Sequence, residues 1–472
     1  MLFNSLHFLV FFIVVTTLYF AIPDRHRWKL LLLSSCYFYM TFVPVYILIL
    51  GFTIIIDYFA GLLIEKSDGA RRKSFLILSL FANISVLAVF KYYNFLNDNL
   101  SVLMGGWGYQ NEIPYLSILL PIGLSFHTFQ AMSYTIEVYR GNYKAEKHFG
   151  IYALYVMFYP QLVAGPIERP QNVLPQFHSK HRFNYADVVA GLQQILWGLF
   201  KKVVIADRLS IYVDAVYNNA DNHSALSLAV ATVFFAFQIY CDFSGYSDIA
   251  LGTARVMGYR LMVNFRRPYL AKSIKEFWSR WHISLSTWFR DYLYFPLGGN
   301  KVAIPRWYLN IFIVFMVSGL WHGANWTFII WGALHGIYQI GSVMFKRFNE
   351  LNILGYRPLT NLMHVVITFI LVSFAWIFFR ANTVEDALLI SKNILTMKPG
   401  GLFMGHPAGF FYSLLWIPFL LLTEYIQENY PDRFKIFNNP RAVVRYSGYA
   451  TLIILILLFG VFHGNQFIYF QF

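Results

Sequence analysis

Histidine is the side chain best suited to take up and return a proton near neutral pH, and two of the 13 in this chain sit where that ability would count. His322 lies in GLWHGANW at the end of an apolar run, with Gly319, Gly323 and Ala324 near enough in sequence to let another backbone or a substrate approach. Trp321 and Trp326 are expected to wall it and keep water out. His282 lies upstream, in EFWSRWHISLSTWFRDYLYFPLGGN. There Glu276 and Arg280 are one helical turn apart and pair, while Trp278 and Trp281 take adjoining positions. Groups of this kind inside an oily chain are costly to bury and point to function by default. Each stretch also has a structural reading: a lone histidine bonded between helices for the first, an interfacial helix with a tryptophan anchor and a salt bridge for the second. His335, in WGALHG, is too far from His322 to form a helical ligand pair. The chain contains no zinc signature, phosphate-binding glycine loop or nucleophile elbow.

The elements that must position these residues are membrane helices. Of 472 residues, 58% are hydrophobic and only 13% charged, against about a quarter charged in soluble domains. The chain reads as an all-α polytopic membrane protein. Its formal charge of +14 sits in short clusters between apolar runs, as expected of loops that stay on the cytoplasmic side, and nucleic-acid binding is excluded on that ground. Cys36 and Cys241 lie far apart in apolar segments and imply neither a disulfide framework nor a metal site.

The opening run MLFNSLHFLVFFIVVTTLYFAIP has no basic n-region or small-residue cleavage site and is read as a retained helix, not a removed signal peptide. Arg25, Arg27 and Lys29 follow at once, which puts the N-terminus outside and the first loop in the cytoplasm. Spans are expected near 30–43, 45–64 and 74–96, with Lys66, Arg71, Arg72 and Lys73 in a second cytoplasmic loop and Asn97 to Glu112 outside. Pro121 and Gly123 then break a membrane-length run, and His127 and Glu137 beyond the break read first as buried structural groups. The proline-dense segment from Tyr152 to Pro175, with Glu168 and Arg169, reads as a re-entrant or interfacial loop and keeps Lys201, Lys202 and Arg208 cytoplasmic. Helices follow over about 186–206 and 224–245, with Asp242 and Asp248 near the end of the second; capping of a further segment over 246–258 accounts for one of these acids.

Residues 264–306 are strongly basic and read as a cytoplasmic amphipathic segment. The runs 307–321 and 327–345 form a hairpin that enters from the cytoplasm, turns at WHGAN within the bilayer and returns. Later spans lie near 361–379, 408–425 and 446–462, with an amphipathic piece from Glu385 to Lys398 between the first two. The last span sends the tail HGNQFIYFQF to the outside, so both termini are expected there. On its own, the closing FIYFQF reads as an aromatic interface belt or a short extended tail.

WHISLSTWFRDYLYFPLGGN followed by GLWHGANW resembles the membrane-bound O-acyltransferase family, and QIYCDFSGYSDIALG, AGPIERP, PIGLSF and FIYFQF are similar to its bacterial polysaccharide branch. The likeness covers nearly the whole chain. It implies one integral-membrane domain over 1–472 with about 11 to 13 transmembrane or re-entrant helices around a central tunnel, 307–345 carrying the active site and 463–472 forming an extracytoplasmic tail. It implies that His322 is the active-site base, that His282 is a second histidine near the tunnel, and that Tyr469 accepts the acyl group in transit. Glu276, Trp278, Arg280, Trp281, Ser284, Arg290, Asp291, Trp321, Asn325 and Trp326 are the motif positions expected to line the substrate path. The donor implied is cytoplasmic acetyl-coenzyme A, with no resident cofactor or metal. The implied partners are a secreted esterase-like (SGNH-type) acetyltransferase and, through it, an exported or cell-wall polysaccharide such as alginate, cellulose or peptidoglycan, with the protein embedded in the lipids of a bacterial cell membrane. A D-alanyl exporter for teichoic acid stands beside this reading within the same chemistry. A transporter or channel with histidines along its path stands outside it.

Overall fold

The computed structural model describes residues 1–117, 121–163, 165–344, 357–431, 437, 439–462 and 467–468. Among them there is no strand, and eight helices are long and apolar enough to cross a membrane: Pro44–Lys66, Gly69–Gly106, Tyr185–Tyr217, Ala225–Val256, Ile304–His322, Arg357–Arg380, Pro407–Asn429 and Ala442–Phe459. Leu6–Ala21 is a shorter apolar helix. The chain is a multi-pass membrane protein with an all-helical fold. It divides into two compact units, Met1–Leu192 with Ala250–Met262, and Gln193–Ile249 with Val263–Phe472.

In the first unit the break at Pro121 and Gly123 is real. Gly123 adopts φ 75°, where a Cβ would meet the Leu162 carbonyl at 2.8 Å, and the helix Leu124–Arg140 starts immediately after it. His127 and Glu137 on that helix have structural work. His127 Nε2 lies 2.8 Å from the Leu162 carbonyl, and Glu137 accepts from Asn142 at 3.0 Å and pairs with Arg140 at 3.4 Å. The proline-dense segment folds as the short helices Phe149–Met157, Tyr159–Leu162 and Pro170–His178. It is buried in protein, not laid along an interface, which is what unpaired backbone at membrane depth requires. Glu168 accepts from Asn172 at 2.6 Å and from the Met262 N–H.

In the second unit the Ile304–His322 and Trp326–Met344 helices form the expected hairpin. Glycine sets how closely they approach. A Cβ on Gly319 would stand 2.4 Å from the Phe328 carbonyl, and one on Gly332 2.4 Å from the Phe315 carbonyl. The small residues near His322 therefore admit a neighbouring backbone rather than a substrate.

One sequence expectation fails in this unit. The helix begun at Ala225 does not end near 245 but runs unbroken to Val256, so Asp242 and Asp248 are mid-helix and cap nothing. Lys201 and Lys202 lie on the expected helix, buried within the Tyr185–Tyr217 span, where π winding with i→i+5 bonds runs over Phe200–Ala206. Lys202 Nζ contacts Asp207 at 2.7 Å and Asp242 at 2.6 Å. Lys201 Nζ contacts Asp248 at 2.6 Å and Ser244 Oγ at 2.9 Å. Lysines this deep in an apolar run need acids facing them. Here Gly198 and Gly245 bring the two helices together, a Cβ on Gly198 meeting the Gly245 carbonyl at 2.6 Å.

Candidate active site

His322 is the last residue of the first hairpin helix, and its ring is buried. Three aromatic rings stand edge-on to it: Trp321 and Trp331, each with centroids at 4.9 Å, and Phe379 at 5.3 Å. The walls thus come from three helices: the hairpin's first arm gives Trp321, its second Trp331, and Arg357–Arg380 gives Phe379. Trp326, expected to wall the site, is 52% exposed; five residues further along, Trp331 stands against the imidazole.

His282 joins the same cluster from the basic 264–306 segment. It begins the helix Ile283–Phe289 in the left-handed region at φ 42°, ψ 55°, a conformation that costs a non-glycine residue energy and persists when the surroundings dictate it. Its Nδ1 lies 3.3 Å from Asn264 Oδ1, which also accepts from Ser284 Oγ at 2.8 Å. An acceptor at Nδ1 sets the tautomer with the proton on Nδ1 and the lone pair on Nε2. Complete burial pushes its pKa down to about 3, so the ring is neutral at physiological pH. Its ring packs on Phe243 at 4.6 Å and on Trp321 at 6.2 Å. Both histidines therefore contact one indole.

The other expected site residues divide. Trp281 is fully buried and packs on Trp376 at 5.1 Å. Ser284 holds Asn264, and Trp321 separates the two imidazoles. Trp278 reaches His335 instead of His322, its Nε1 donating to His335 Nδ1 at 3.3 Å. Glu276 and Arg280 pair at 2.7 Å, as the spacing predicts, but Arg280 also pairs with Glu428 at 2.9 Å, and Glu276 accepts from the Lys272 N–H at 2.8 Å. These contacts fasten the helix Ile274–Arg280. Arg290 pairs with its neighbour Asp291 at 2.8 Å on an exposed face. Asn325 accepts from the Thr327 N–H at 2.9 Å and so satisfies an amide at the start of a helix. Tyr469 lies outside the described residues.

Phe467 and Ile468, just before it, are described and buried. Phe467 packs on Phe243 at 5.5 Å and on Tyr246 at 4.5 Å. The reading of this tail as an exposed aromatic belt fails at these two residues, since they insert against the ring that touches His282. Sequence reasoning also missed Trp331, His335, Phe379, Phe243 and Asn264. Of these, Trp331 and His335 carried a signal, lying one turn apart on one face of the second hairpin helix.

Residues 148–381 match the model of the membrane-bound O-acyltransferase family. The chain is 40% identical over 391 residues to a probable alginate O-acetylase, AlgI, of Pseudomonas aeruginosa, covering 82% of this chain and 73% of that one. It is 35% identical over 395 residues to a peptidoglycan O-acetyltransferase of Helicobacter pylori, covering 78% and 73%. A teichoic acid D-alanyltransferase of Bacillus subtilis is 28% identical over 285 residues, 58% of this chain and 72% of that protein.

Proposed function

Since the chain belongs to the membrane-bound O-acyltransferase family and is an O-acyltransferase, we propose that it moves acetyl from cytoplasmic acetyl-coenzyme A across a bacterial cell membrane for O-acetylation of an extracytoplasmic polysaccharide. The observation that carries this reading is the convergence at Trp321. His322 and His282 pack on it, and Phe467, two residues before Tyr469, is buried against Phe243, a ring that also packs on His282. That convergence supports a base, a second imidazole and an acceptor at one place.

In the proposed reaction His322 removes the phenolic proton of Tyr469 as the phenol oxygen attacks the thioester carbonyl. The O–C bond forms, the C–S bond breaks, and coenzyme A leaves as a thiol after taking the proton from the imidazolium. A phenol, with a pKa near 10, is easier to deprotonate than an alcohol, and its ester remains an activated donor. A secreted esterase-like transferase then carries acetyl from Tyr469 to the polymer. The aromatic walls exclude water, which would otherwise hydrolyse the ester. His282, neutral and with its lone pair on Nε2, accepts rather than donates there, and supports positioning of the donor beside the base. The basic 264–306 segment faces the cytoplasm, where the phosphates of the donor arrive. Reconstituted protein given labelled acetyl-coenzyme A tests this: acetyl appears on Tyr469 in the wild type, and solute transport without covalent label would instead favour a channel.

A further inference from the structure

The buried cluster around Lys202 contains two carboxylates for one ammonium. A structural ion pair needs one. Asp242 divides its two oxygens: Oδ1 contacts Lys202 at 2.6 Å, while Oδ2 accepts the main-chain N–H of Ile468 at 2.7 Å. The chain leaving the last helix is held at two earlier points on the same span. Arg208 donates to the Phe459 carbonyl at 2.6 Å, and the Val461 N–H donates to the Val203 carbonyl at 2.9 Å. Val203 belongs to the wide-wound turn Phe200–Ala206, where the usual helical bonding is interrupted and a carbonyl is open to an outside donor. Phe467 then packs on Phe243, the residue after Asp242, and on Tyr246, one helical turn beyond Asp242.

We propose that Asp242, held by Lys202, is a positioning residue that latches the C-terminal tail through the Ile468 N–H and so fixes the register at which the chain enters Tyr469. The proposal rests on the acyl-tyrosine reading for its catalytic consequence, but not for the latch itself. A bond from an ionised acceptor to a backbone amide is strong, and because it is made to the main chain it fixes register whatever the side chain. Ile468, the residue before Tyr469, is thereby tied to the helix whose Phe243 touches His282 at 4.6 Å.

Hydrogen exchange of the C-terminal peptide in full-length protein in nanodiscs reads the latch directly, alongside acetyl transfer at varied acetyl-coenzyme A. In Asp242→Ala the amides around Phe467 and Ile468 exchange about tenfold faster and kcat falls about tenfold while KM for acetyl-coenzyme A is unchanged, as loss of one charge-assisted bond predicts. Asp242→Asn keeps an oxygen acceptor and restores much of both. Asp207→Ala strips the same charge from Lys202 but leaves the tail protected. Wild-type protection in Asp242→Ala, or equal loss in Asp207→Ala, overturns the proposal. Should Asp242→Ala fail to fold, Ile468→Pro deletes the same N–H without touching the ion cluster. Its Phe467 amide should then exchange faster than in Ile468→Val, and unchanged protection overturns the latch. Tyr469→Phe separates the two ideas: it keeps slow exchange if the latch holds, and it keeps transferring acetyl only if the relay is wrong.

Discussion

Replacing Lys202 with methionine is the sharpest test of how the membrane interior of the second unit is built. Lys202 is 1% exposed, and its partners Asp207 and Asp242 are 3% and 4% exposed, at 2.7 and 2.6 Å. The triad carries one positive and two negative charges. Methionine nearly matches the lysine stem in volume but leaves two carboxylates facing each other without a cation. Removing one partner of a buried pair costs about 3 to 5 kcal/mol, roughly two to three and a half powers of ten in the folded population. Unfolding by sodium dodecyl sulfate in mixed micelles, followed by tryptophan fluorescence, measures it. Because the cost comes from uncompensated charge, adding Asp207→Asn and Asp242→Asn to Lys202→Met should recover most of the loss. A single substitution costing under about 1 kcal/mol, the range of exposed pairs, would refute burial of the triad. A triple variant worse than the single would refute the charge argument.

Gly319→Ala and Gly332→Ala each put a Cβ 2.4 Å from a carbonyl of the facing helix, so each should cost about 1 to 3 kcal/mol or more and lower transfer by displacing His322. Gly341→Ala, with nothing within 4 Å, should be neutral or slightly stabilising in the same melts. His282 has a folded pKa near 3 against an ordinary value of 6.5. The unfolded chain binds its proton first, so stability is complete above about pH 6.5 and falls toward pH 3, by at most about 1.4 kcal/mol per unit; His282→Gln should flatten that slope in pH-dependent denaturation. Arg280→Ala breaks partly exposed pairs with Glu276 and Glu428 and should cost under about 1 kcal/mol with kcat intact. Lost transfer in a folded Arg280→Ala protein would instead place the pair in the donor site.

The hairpin around His322 was legible because its signal is local: two apolar runs, basic residues at their outer ends and a glycine-rich turn fix its ends within a few residues of Ile304–His322 and Trp326–Met344. The Glu276–Arg280 pair was legible for the same reason, being a single helical turn. What escaped depends on neighbours distant in sequence. Lys202 reads as a basic residue at the end of a helix until Asp242, 40 positions later, is known to face it. Trp326 and Trp331 are five residues apart, yet Trp331 packs on His322 while Trp326 is half exposed, and which face a hairpin arm presents is set by packing against Arg357–Arg380. The tail's aromatic residues suit an interface belt and a buried cluster equally well. Only the Asp242 carboxylate and the rings of Phe243 and Tyr246 decide between them.

The central claim is that acetyl passes through the phenol of Tyr469 with His322 as the base. Intact-protein and peptide mass spectrometry after brief exposure of the reconstituted wild type to labelled acetyl-coenzyme A measures it directly. The account predicts one labelled acetyl on Tyr469, absent in Tyr469→Phe and in His322→Ala, both of them folded. Acetyl delivered to an external acceptor by folded Tyr469→Phe at the wild-type rate would contradict it.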